Sequence, residues 1–141
     1  MLGSDGDFAR MNRDLASAAR GLKGAKNVLV ISHIDADGIT AGSIANITLD
    51  RMGVEHRVRF VPKLDEETIN LINNAPEDYV WICDLGSGYL SEFGRPNLIV
   101  TDHHVPDPKW RKKQTVLGVY LLRQEIGHSR SADLIGSVET V

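Results

Sequence analysis

The sequence has 141 residues and a formal net charge of −3, with 42% hydrophobic and 25% charged residues. These values are typical of one soluble globular domain with a sizeable core, and they exclude a protein that coats nucleic acid through bulk positive charge. A single cysteine, Cys83, excludes a disulfide framework, and the lack of any long apolar run favours a cytoplasmic protein without membrane contact.

The first third of the sequence predicts a helix, a buried strand and a second helix. Apolar residues recur at helical spacing from Phe8 to Leu22, before a glycine that is expected to end the first helix. The aliphatic run Val28 to Ile31 indicates a strand that is buried on both faces. Gly38 then lets the backbone turn, and the second helix is expected from Ile39 to about Met52.

Three further strands are predicted in the middle of the sequence. The run Glu55 to Val61 alternates polar and apolar residues, which indicates a more exposed strand. Asp65 is expected to cap a helix that extends to Ile72. The runs Tyr79 to Cys83 and Asn97 to Val100 predict the last two strands. This alternation of strands and helices predicts an α/β fold with a parallel sheet flanked by helices.

The end of the sequence has a weaker pattern. Residues 1–108 are expected to form one domain, and residues 109–141 form a tail that packs on this domain or is truncated from it. Within the tail, Gln114 to Gln124 fits a strand or a short helix equally. A basic cluster with one aromatic residue begins the tail, at Lys109, Trp110 and Arg111.

Acidic and imidazole side chains follow three of the four predicted strands. They are His33, Asp35 and Asp37 after the first strand, Asp84 after the third, and Asp102, His103 and His104 after the fourth. Because the carboxyl ends of parallel strands share one edge, we expect these groups to converge in one crevice, where two divalent cations would neutralise the four carboxylates. Such a site suits the hydrolysis of phosphate esters. The alternative is a set of helix caps and turns.

The motifs resemble those of the DHH phosphoesterase superfamily. The run from His33 to Gly38, then Asp84, then the triplet from Asp102 to His104 occur in the order of the family's motifs. From Val28 to Pro108 the sequence is most similar to archaeal RecJ-like single-strand-specific nucleases. The resemblance implies a Rossmann-like DHH domain that hydrolyses phosphodiester bonds with two metal ions at the carboxyl ends of its strands.

The resemblance also implies metal ligands. His33 and Asp35 would hold one Mn²⁺ ion, and Asp37 and His103 would hold the other. Asp84 would bridge the two ions. Mg²⁺ and Co²⁺ are the alternatives to Mn²⁺.

The resemblance implies catalytic roles for two further residues. Asp102 would orient His103, and His104 would donate to oxygens of the scissile phosphate. The family usually supplies one more metal-binding aspartate and a second domain later in the chain. Asp133 is the one aspartate in the tail, so we expect the chain to be a fragment, a truncated copy or a chain with a diverged tail.

Three functions remain open from the sequence. The first is a RecJ-like exonuclease of DNA repair acting on single-stranded DNA, RNA or short oligonucleotides. Candidate substrate contacts are Arg59, Lys63, Lys109, Trp110 and Arg111, each of which is otherwise a solvated surface residue. The second is a small-substrate phosphodiesterase or pyrophosphatase. The third is a weakly active or inactive module of a replication or repair assembly, as the family's association with the GINS complex implies.

Overall fold

A computed structural model describes residues 5–105, 107–109, 118–122 and 134–135. The helices are α1 (Asp5–Gly24), α2 (Ala36–Met52) and α3 (Glu66–Asn73), and a 3₁₀ segment covers Ser87–Glu92. The strands are β1 (Asn27–His33), β2 (Glu55–Val61), β3 (Tyr79–Cys83), β4 (Leu98–Asp102), β5 (Gly118–Leu122) and β6 (Leu134–Ile135). All six strands belong to one sheet, in the order β2-β1-β3-β4-β5-β6.

The sheet is parallel from β1 to β5, as the sequence predicts, and only β6 pairs antiparallel. The register places Ser32 of β1 beside Cys83 of β3, and Cys83 beside Thr101 of β4. The residues that follow these three positions, His33, Asp84 and Asp102, therefore lie side by side at the carboxyl edge of the strands.

Both faces of the sheet are covered. On one face Val28 and Val30 of β1 pack in a buried cluster with residues of α1 and α2. On the other face Leu29 and Ile31 pack with α3 and with Leu90 of the 3₁₀ segment. The alternation along β1 thus buries every one of its central side chains, which confirms the prediction of a doubly covered strand.

Element boundaries differ from the predictions in two places. Helix α2 begins at Ala36 rather than Ile39, because the carboxylate of Asp35 caps it. Strand β4 starts and ends later than predicted: Asn97 has a left-handed φ of 57°, and Asp102 still pairs with β5. No helix in the described part of the chain is long and apolar enough to cross a membrane.

The tail falls mostly outside the described residues. Strand β5 lies within the segment for which the sequence left strand and helix open, and its backbone extends the sheet beside β4. Trp110, Arg111 and Asp133 lie outside the described residues. The division into a domain and a tail after residue 108 stays a prediction.

Candidate metal centre

A short polar network fixes the junction between β1 and α2. The Gly38 amide donates to Oδ1 of Asp35 at 2.9 Å, and the Ser32 hydroxyl donates to the Gly38 carbonyl at 2.6 Å. Any Cβ at Gly38 would overlap the carbonyl oxygen of His33. Glycine is therefore required here because the first turn of α2 packs directly on the end of β1, and not because the chain turns at this residue.

His33 presents a buried ring nitrogen to two carboxylates. Its Nε2 donates to the carbonyl of Pro62 at 3.1 Å, so the neutral ring carries a lone pair on Nδ1. This Nδ1 lies 2.8 Å from Oδ2 of Asp35 and 4.0 Å from Oδ2 of Asp84. Nδ1 of His33 and Oδ2 of Asp84 are both buried; the nitrogen lies against the Asp35 carboxylate, whereas the Asp84 oxygen has no hydrogen-bond partner among the described residues. A buried carboxylate oxygen that lacks a donor and lies near an imidazole nitrogen suits a cation.

Asp84 lies between the two halves of the site in a strained conformation. Its φ of 60° is left-handed, and its amide donates to the Thr101 carbonyl at 2.8 Å. Nε2 of His103 lies 3.1 Å from the other carboxylate oxygen, Oδ1. Burial, together with the nearby carboxylate of Asp35, raises the pKa of Asp84. A carboxylate in this environment gains from a cation that neutralises it.

Asp102, in contrast, has its carboxylate saturated with donors. Its Oδ2 accepts from the amide of Ser87 at 3.0 Å and from the hydroxyl of the same residue. Its Oδ1 accepts from the amide of His103 at 2.8 Å and from the ring of His104. Burial raises the pKa of Asp102, but the hydrogen bonds from Ser87 and His104 together with the charge of His104 outweigh it, and the net shift is downward.

The ring of His104 is held by that same carboxylate. Nδ1 of His104 lies 2.6 Å from Oδ1 of Asp102, and this hydrogen bond raises the pKa of the imidazole. The rings of His103 and His104 are tilted by 50° with centroids 4.5 Å apart. Asp102 thus contacts the ring of His104 and only the main chain of His103, whereas the family resemblance implies that it orients His103.

Two groups of side chains at this edge offer ligand atoms within 4.8 Å of one another. The first group is His33, Asp35 and Asp84, and the second is Asp84, Asp102, His103 and His104. Asp84 belongs to both groups. Imidazole nitrogens and carboxylate oxygens are donors for divalent transition-metal ions, and the unpartnered buried atoms lie where such an ion would bind. The residues therefore fit a divalent metal site.

The other predicted site residues lie at varying distances from this centre. Asp37 lies in the first turn of α2, exposed, and belongs to neither group of ligand atoms. Its role as a ligand stays a prediction. Lys63 lines the crevice beside the centre, whereas Arg59 and Lys109 are exposed and are not among the described residues that line it.

The crevice has a volume of about 290 Å³. Its lining is His33, Lys63, Leu64, Asp84, Leu85, Gly86, Gly88, Tyr89, Asp102, His104 and Val105. Sequence reasoning missed Tyr89 and the buried Ser87, which holds Asp102. The sequence predicts that Asp84 follows a strand end. The partner of Ser87, however, is 15 residues away, and no local spacing reveals it.

No family model and no curated protein matches the sequence. Solved structures that are similar to this chain include two of RecJ. One is exonuclease RecJ bound to manganese, with a TM-score of 0.55 and 22% identity over 74% of this chain. The other is RecJ from Thermus thermophilus in complex with Mn²⁺, with a TM-score of 0.56 and 25% identity over 75% of this chain.

The chain shares the fold of RecJ exonucleases. This confirms the α/β fold and the resemblance to RecJ, a member of the DHH superfamily, that the strand-end motifs predict. The chain spans 34% of the first RecJ chain and 16% of the second. The activity and substrates of the complete RecJ proteins are therefore only proposals for this chain.

Proposed function

We propose that this chain is a metal-dependent phosphodiesterase, a RecJ-like exonuclease of single-stranded nucleic acid that uses two Mn²⁺ ions. The observation that carries the proposal is the position of Asp84, whose two carboxylate oxygens face different groups of ligands. Oδ1 faces His103, and the buried, unpartnered Oδ2 faces Nδ1 of His33. A carboxylate placed in this way is suited to bridge two cations.

The residues would divide the work as follows. His33 and Asp35 would hold one ion and His103 the other, with Asp84 shared; Asp37 is retained as a ligand from the family motif. When bound, the ions would withdraw charge from the phosphoryl group and favour attack by water. On the sheet side the site borders buried residues at the strand ends, namely Ser32, Asp84 and Asp102.

His104 is suited to contact the scissile phosphate. Its hydrogen bond to Asp102 occupies Nδ1 and favours the protonated ring, so Nε2–H remains to donate to a phosphoryl oxygen. Asp102 and Ser87 fix the ring rather than touch the substrate. We therefore propose a catalytic role for His104, in which its ring donates a hydrogen bond to the negative charge that develops on the phosphate.

Single-stranded DNA or RNA is the proposed substrate, with DNA repair in the cytoplasm as the setting. This proposal is supported by the RecJ fold and by the acidic and imidazole side chains that line the crevice. Hydrolysis of small substrates such as pyrophosphate, and a role as a module that binds the GINS complex, stay predictions.

The direct test is metal binding and nuclease activity of the complete 141-residue chain. Calorimetric titration with Mn²⁺ should show binding, and single-stranded DNA should be degraded in preference to a duplex and to pyrophosphate. Asp84→Asn should reduce Mn²⁺ affinity more than 100-fold, roughly the loss expected when a shared ligand is removed. Asp50→Asn, on the exposed side of α2, is the matched control and should leave binding unchanged. A wild-type chain that binds no Mn²⁺ would overturn the proposal.

A further inference from the structure

The crevice is lined by two chemically different sets of side chains. One set is the carboxylates and imidazoles of the candidate metal centre. The other set is apolar or aromatic and comprises Leu64, Leu85, Tyr89 and Val105. Tyr89 leaves 41% of its surface exposed and Val105 leaves 70% exposed, so two large apolar side chains stand open to solvent beside a charged site. Apolar surface of this kind at a site marks the part of a ligand that it accommodates.

Tyr89 is exposed although its backbone is firmly held. On one side of it, Ser87 is buried and donates to Asp102; on the other side, Ser91 donates to the carboxylate of Asp107. The amide of Tyr89 itself donates to the carbonyl of Gly86 at 2.9 Å. The 3₁₀ segment is therefore held by hydrogen bonds on both sides of Tyr89, which lies at a kink between two short turns with φ −124° and ψ 15°.

The charges of the crevice limit the ligand that fits. Among the described residues that line it, Lys63 is the one side chain with a permanent positive charge, and Asp84 and Asp102 are acidic. A small, highly charged anion would gain nothing from the apolar lining residues. A nucleotide unit offers both a flat apolar face and a phosphate with a single negative charge. Aromatic side chains stack on bases of any sequence, because every base has a π-face.

We propose that Tyr89, backed by Val105, forms a nucleobase subsite next to the candidate metal centre, with Lys63 contacting the backbone phosphate. This inference rests on the proposed function and deepens it. The base adjoining the scissile phosphate stacks on the Tyr89 ring, and the phosphate extends toward His104. Tyr89 therefore acts in substrate binding and favours substrates that carry a base.

Binding is tested with a phosphorothioate-linked dinucleotide of thymidine and 2-aminopurine, in the presence of Mg²⁺. Stacking quenches the fluorescence of 2-aminopurine, so wild type and Tyr89→Phe should quench it with similar affinity. Tyr89→Ala should weaken binding roughly 5- to 150-fold, the range that base–aromatic stacking gives. Ile44→Ala, which removes an exposed apolar side chain on α2 away from the crevice, is the control and should bind as wild type does.

Hydrolysis gives a second readout. The rate on a single strand with a normal terminal nucleotide is divided by the rate on the same strand with an abasic terminal unit. This ratio should exceed one in wild type and Tyr89→Phe, and it should fall toward one in Tyr89→Ala. Quenching that is equal in wild type and Tyr89→Ala overturns the subsite. Quenching that depends on Tyr89 without any hydrolysis supports the subsite and overturns the proposed nuclease instead.

Discussion

Asp84 and Asp102 lie at the carboxyl ends of the neighbouring strands β3 and β4, and 7% and 6% of their surfaces are exposed, yet their electrostatic environments are opposite. Asp102 accepts hydrogen bonds from Ser87 and from the two residues that follow it, and its pKa is lowered. Asp84 has one buried oxygen without a partner among the described residues, and its pKa is raised. Equal burial therefore does not mean equal function.

The difference separates a supporting carboxylate from a candidate ligand. A buried carboxylate that is fully hydrogen-bonded stabilises the fold and has fewer lone pairs left for a cation. A buried carboxylate that lacks donors costs folding free energy unless a ligand compensates for it. Asp102 belongs to the first kind, since it positions His104. Asp84 belongs to the second kind, and its left-handed backbone adds to the cost.

The largest expected effect comes from exchanging each aspartate for asparagine. Asp102→Asn should lower the free energy of unfolding by about 3 kcal/mol. Both carboxylate oxygens of Asp102 accept hydrogen bonds, and the amide nitrogen of asparagine would replace one of these oxygens with a donor. Asp84→Asn should raise it by about 1 kcal/mol in the metal-free protein, since asparagine tolerates the left-handed φ and carries no charge. Urea denaturation at pH 7 in the presence of EDTA measures both.

The pH dependence gives an internal control for this pair. The lowered pKa of Asp102 contributes stability that is present above its unfolded pKa and is lost as the pH falls through its folded pKa. The raised pKa of Asp84 has the opposite sign, so its charge destabilises the fold at neutral pH and ceases to do so in acid. The two variants should thus approach wild type below about pH 4. Changes of the same sign at pH 7 would refute the contrast.

A smaller effect is expected at the glycine that supports the ligand side of the site. Gly38→Ala should destabilise the protein by about 2 kcal/mol, because the added methyl group overlaps the carbonyl of His33 and must displace β1 or α2. Mn²⁺ affinity should fall with it, since His33 moves. Gly24→Ala is the matched control: a Cβ there meets no atom within 4 Å, and we expect no loss. Thermal melts and Mn²⁺ titration of both variants check this, and equal behaviour would count against the packing argument.

The sequence was sufficient to predict the fold because local patterns determine most of it. Strands β2 and β3 occur at the predicted residues, and Asp65 caps α3 as expected, with its carboxylate accepting from the Thr68 amide. The convergence of three strand ends followed from parallel topology alone. Such features depend on hydrophobic periodicity and on residues a few positions apart.

The details of the site depend on contacts between residues that are far apart in the sequence, and no spacing within a local motif encodes them. Ser87 reaches Asp102 across 15 residues, and Arg95 is buried while donating to the carbonyl of Ile72. Extended backbone would have placed Asp37 beside His33, but α2 begins at Ala36, so Asp37 lies in the first helical turn and belongs to neither group of ligand atoms. Here the cap at Asp35 starts a helix directly after β1. The side chains that follow therefore have helical rather than strand positions.

We expect the smallest change in stability at Asp35. A substitution there also separates two roles of its carboxylate, as a helix cap and as a metal ligand. One of its oxygens caps α2 through the Gly38 amide, which lowers its pKa, and the other lies 2.8 Å from Nδ1 of His33. Serine caps helices as well as aspartate does but offers no second oxygen, so Asp35→Ser should keep the melting temperature and lower Mn²⁺ affinity more than about 10-fold. Asp65→Ser, which changes a cap far from any ligand group, should alter neither quantity. If Asp35→Ser binds Mn²⁺ as wild type does, the carboxylate is only a cap, and the first group of ligands is reduced to His33 and Asp84.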